Sequence, residues 1–68
     1  MSKKNEIEEL KEWSNNTDIA LSNMILAANS YLEQYERIPK LHEKIASLEE
    51  ILCTAQLTIQ EIKKYGDI

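Results

Sequence analysis

Apolar residues recur along this chain at alternating steps of three and four. The first series runs Ile7, Leu10, Ser14, Thr17, Leu21, Met24, Ala28, Tyr31, Tyr35 and Ile38; only Ser14 and Thr17 are polar. The second runs Ile38, Leu41, Ile45, Leu48, Leu52, Ala55, Ile59 and Ile62, with no polar member. This is the a/d spacing of a coiled-coil seam. No stretch alternates apolar and polar residues with the period of a strand. The pattern predicts an all-α chain with helices over about 5–37 and 39–65.

The two series are out of phase. Ile38 is a d position counted from the first series and an a position counted from the second, and Pro39 follows it. A residue before proline avoids helical angles, while proline itself suits the first turn of a new helix. A turn is therefore expected near 37–40. A connection this short makes the helices antiparallel neighbours, a coiled-coil-like helical hairpin in one domain over 1–68. The rival is a single helix kinked at Pro39. If the turn centres between Ile38 and Pro39, residue i lies level with roughly residue 77−i. The polar run from Ser14 to Asp18 competes with helix for backbone hydrogen bonds, so residues 1–13 are either continuous with the first helix or a frayed or separate one.

Two runs carry no charged side chain, Ile19 to Leu32 and Ile51 to Gln60, and the hairpin brings them to one height. Leu21, Met24, Ala28 and Tyr31 are expected to form the seam, widened by Ile25 and Leu32. Ile19, Ala20, Leu26 and Ala27 then fall outside it. In the second helix Ile51 flanks the seam while Cys53 and Leu57 face away. A helix apolar nearly all round is usually buried in a larger assembly. The expectation is an apolar waist that binds another chain, with Ile19, Ile25, Leu26, Ile51, Cys53 and Leu57 as its interface. Trp13 and Tyr65 come level at the open end as further interface anchors. Dimerisation into a four-helix bundle is the simplest way to cover this waist. The alternatives are scattered surface apolars, or a three-helix fold with residues 2–13 folded back over it.

Composition narrows the chemistry. Sixty-eight residues bury only roughly 60% of their unfolded surface, so a lone core is marginal. One cysteine and one histidine, Cys53 and His42, offer neither an internal disulfide nor a zinc cluster. Twelve acids against eight bases give a formal charge of −4, which disfavours a nucleic-acid binder. Interspersed glutamates weaken the basic cluster that Lys3, Lys4, Lys63 and Lys64 could form at the open end. Paired acids such as Glu8/Glu9 and Glu49/Glu50 read as solvated helix faces, and no phosphate loop, HExxH or CxxC is present. Neither a signal peptide nor a membrane span is visible, and the expected setting is cytoplasmic.

The functional expectation is a small non-enzymatic protein-interaction module of regulator, inhibitor or co-chaperone type, with no catalytic residue, cofactor or metal. Its partner would be a second copy, another helical protein, or both. In length and pattern the chain resembles small helical-hairpin regulators and secretion co-chaperones, from which no residue is carried over. The alternatives are a purely structural self-assembling coiled coil and, further off, a nucleic-acid-associated regulator.

Overall fold

The computed structural model describes residues 3–66, with side chains over residues 6–65. The chain is an antiparallel hairpin of two helices, α1 (Lys3–Gln34) and α2 (Pro39–Gly66). It forms a rod of 54 × 16 × 14 Å.

Pro39 sets the turn. The link is residues 35–38, so α1 stops somewhat earlier than the pattern suggested. The reason lies in the hydrogen bonds on either side. The Tyr35 amide still donates to the Tyr31 carbonyl at 2.9 Å, and the Ile38 amide then donates to the Tyr35 carbonyl at 3.0 Å, closing the reversal. The Ile38 carbonyl accepts from the His42 amide at 2.9 Å, so Ile38 caps α2 and Pro39 occupies its first position. Among the described residues none has positive φ, so the reversal is made without a glycine.

α1 runs unbroken through the polar segment from Ser14 to Asp18, and the described part of residues 2–13 continues it rather than folding back. Ser14 and Asp18, at the two ends of that segment, each have a partner. Ser14 is completely buried, and its hydroxyl donates to the Lys11 carbonyl one turn earlier at 3.0 Å. Asp18 is held by residues of α2. Segments that would otherwise prefer a cap or turn can remain helical when their side chains are satisfied this way.

The fully covered core is small. Ala28 and Ile59 are its buried apolar members, beside Ser14. The whole chain exposes 5589 Å², whereas a compact monomer of 7.9 kDa exposes about 4,400 Å². The difference, about 1,200 Å², is surface that two helices leave uncovered. Ile59 is 3% exposed while Leu57, two residues earlier on α2, is 64% exposed. Ile59→Ala should therefore cost about 2–5 kcal/mol in urea unfolding, and Leu57→Ala under about 0.5 kcal/mol. Equal losses would show that the two positions are equally covered.

Candidate functional site

One edge of the hairpin is fastened by polar side chains. The Gln56 amide donates to the Asp18 carboxylate at 3.0 Å and to the Ser22 hydroxyl. The Lys63 ammonium donates to the other Asp18 oxygen at 3.0 Å. In the heptad of each helix Asp18, Gln56 and Lys63 are e positions and Ser22 is a b position. Lys63 foremost, and then the Gln56 amide, hold the Asp18 carboxyl below its ordinary value; partial burial pushes weakly the other way. Asp18, bonded to both Gln56 and Lys63, lies level with the α2 turn between them, close to the register expected for a turn between Ile38 and Pro39.

Fastening that edge rotates the seam. Along the half nearer the turn, the expected d positions do not close on each other: Met24, Tyr31, Leu41, Leu48 and Ala55 are exposed. Half-buried instead are the e positions Ile25, Leu32, Glu49 and Gln56 and the b positions Ala46 and Cys53. The small residues Ser14 and Ala28 at a positions let the helices meet on the a/e/b side, and the bulkier d side chains are turned outward. Two helices have nothing on the far side to push those side chains back.

What opens on the d/g side is an apolar groove of about 360 Å³. Its floor is Ala28, Ile45 and Leu52, and its walls are Met24, Ala27, Tyr31 and Leu48. Met24, Tyr31 and Leu48 are each half exposed, at 53%, 50% and 52%. Tyr31 stacks on Tyr35 with ring centres 6.1 Å apart, which braces the wall at the turn end. Beside the groove on α2, Thr54 and Thr58 donate their hydroxyls to the Glu50 and Thr54 carbonyls, each at 3.1 Å. Those hydroxyls already have acceptors within their own helix. The surface can be covered by apolar material without stranding them.

The interface residues expected from the sequence divide three ways. Ile51 lies at a g position on the groove side and is exposed, and Trp13 and Tyr65 occupy g positions nearer the open end, also exposed. Ile19, Leu26 and Leu57 are exposed as expected, but at f positions on the outer faces, separated from the groove by the polar c positions Asn16, Asn23 and Ser30 or Thr54 and Glu61. Cys53, expected to face away, and Ile25 are half-buried in the fastened edge. The expected single belt is thus a one-sided groove with separate apolar positions behind it.

The polar fastening is what the sequence reading missed. Its signal was present: in the antiparallel register Asp18 falls within a turn of both Gln56 and Lys63. Of the basic residues proposed for the open end, Lys63 is engaged by Asp18, and the side chains of Lys3 and Lys4 lie outside the described residues.

Among the described residues no group of His, Cys, Asp or Glu is arranged to hold a metal ion. No described helix is long and apolar enough to cross a membrane. Compared with known proteins, the chain matches no family model, no curated protein and no solved structure.

The lowered Asp18 carboxyl makes the fastening sensitive to acid. An acid whose value is depressed by folding stabilises the fold above its unfolded value of about 4, and that contribution is lost as pH falls through the folded value. In urea unfolding followed from pH 7 to pH 2, the native chain should be more stable than Asp18→Asn at neutral pH. The two profiles should converge below about pH 4. Parallel profiles would show that the Asp18 charge contributes nothing.

Proposed function

We propose that this chain is a non-enzymatic protein-interaction module that works by taking apolar helical surface into the groove between α1 and α2. The observation that carries this reading is the groove itself: Met24, Ala27, Tyr31 and Leu48 stand open over a floor of Ala28, Ile45 and Leu52. Single exposed leucines are ordinary on protein surfaces, but an apolar groove shared by two elements is a binding feature. Amphipathic helices bind such grooves by laying residues spaced three and four apart into them.

The surrounding chemistry agrees with binding rather than with turnover. The groove presents aliphatic side chains and a tyrosine ring, and its lining holds no acid, base or nucleophile other than the Tyr31 hydroxyl. Asp18, whose carboxyl is held below its ordinary value, lies on the opposite edge and is occupied in holding the helices together. A reducing, cytoplasmic setting accords with the single unbridged Cys53. The regulatory, inhibitory or chaperoning consequence of binding depends on the partner.

A photo-crosslinking residue placed at Leu48, in the groove, and separately at Asn23, on the polar outer face of α1, tests the reading in the native cell. Adducts to polypeptide are expected from position 48 and not from position 23. Equal adducts from the two positions, or none from position 48, would remove the groove as the binding surface.

A further inference from the structure

We infer that the occupant of the groove is a second copy of this chain, docked face to face and end for end about a two-fold axis level with Met24. The inference rests on the reading of the groove as a protein-binding surface and adds which protein fills it and how.

Area gives the first argument. The chain exposes about 1,200 Å² more than a compact monomer of its mass. A standard stable interface removes about 800 Å² from each partner. The rod is 54 Å long and 14 to 16 Å across, so one of its long faces is of that size. Another copy of the same rod is the simplest body that matches such a face along its whole length.

The second argument is the charge along the rim. Beside the groove face at the turn end stand Arg37, Lys40 and Lys44, all exposed. Beside the same face at the open end stand Glu6, Glu9 and Glu61, also exposed. Among the described side chains, one end of this face is therefore basic and the other acidic. Stacking two copies with like ends together sets base on base and acid on acid. Reversing one copy sets the basic end of each over the acidic end of the other. Complementary rims of this kind fix orientation more than they add affinity. A surface complementary to itself under a half-turn is the signature of an isologous dimer.

The apolar positions fit the same operation. Exposed d and g side chains on this face extend from Trp13 and Tyr65 near the open end to Leu41 near the turn, and Met24 lies close to the middle of that span. A half-turn there stacks α2 on α2 of the second copy in antiparallel fashion. Leu41 then meets Tyr65 of the second copy, and Lys44 meets Glu61 of the second copy. Ile19, Leu26 and Leu57 remain on the outside.

The experiment combines mass in solution with a cross-link. Native mass spectrometry at micromolar concentration should find twice the 7.9 kDa of the chain. Leu48→Asp should raise the dissociation constant roughly a hundredfold or more, since each dimer loses two central leucines and gains two buried carboxylates. Leu57→Asp, on the outer face, should leave the mass unchanged. In a Cys53→Ala background, a chain carrying both Lys44→Cys and Glu61→Cys should be joined to a second chain by a short bismaleimide, whereas either substitution alone should not. Within one chain these positions are about 26 Å apart along α2, beyond the reagent's reach. A monomeric native chain overturns the inference; if position 48 still yields adducts to another protein, the groove reading stands with a foreign occupant. A dimer dispersed by Leu57→Asp but not by Leu48→Asp places the interface on the outer face. Dimers without the Lys44→Cys/Glu61→Cys link overturn the end-for-end arrangement.

Discussion

Two helices that touch along one line can cover only part of each other's circumference. Everything else in this hairpin follows from how that limited contact is spent. With a third or fourth helix, a d position turned away from one neighbour meets another. Here a side chain turned away from the contact meets water. The chain places its contact on the a, e and b positions, where Ser14 and Ala28 are small and Asp18, Ser22, Gln56 and Lys63 bond across the helices. The bulk of Met24, Tyr31 and Leu48 is left on the other side. Fastened edge and open groove are two results of one rotation.

The fastened edge also settles register. An apolar seam of Leu, Ile and Ala can slide by a heptad with modest loss, because one branched side chain resembles the next. Asp18, Gln56 and Lys63 cannot be exchanged in this way. A slip would leave a partly buried carboxylate and amide without partners, which costs more than misplaced methyl groups. Polar residues in a coiled-coil seam commonly act like this, specifying one arrangement at some expense in stability. Each exposed ion pair is weak, so the selectivity lies in the shared geometry of four side chains rather than in the Asp18–Lys63 charge alone.

Much of this fold was legible in the sequence. The phase break at Ile38 and the proline after it located the turn, and the register followed. The rotation of the seam was not legible, because spacing of three and four marks a stripe about a third of the helix wide without saying which edge of it meets the partner. Met24 and Ile25 are both apolar neighbours on that stripe, and the small Ser14 and Ala28 together with the cross-helix bonds of Asp18 and Gln56 accompany Ile25 turned in and Met24 turned out. For the same reason the residues expected at one interface are placed on different sides of the hairpin. Ile51, Trp13 and Tyr65 lie on the groove side, Leu26 and Leu57 are exposed elsewhere, and Cys53 is drawn into the fastened edge.

The tight link from Tyr35 to Ile38 leaves residues 3 and 66 at the same end of the rod. Tension applied at that end peels the helices apart one pair at a time instead of shearing the whole contact at once. The first cross-helix bond to bear the load is Asp18 to Lys63, followed by Gln56 to Asp18 and Ser22. These bonds are polar, short-ranged and easily replaced by water once opened. The hairpin is thus mechanically soft at its open end and firm at its proline turn, and the groove near the turn is the last region to lose its shape.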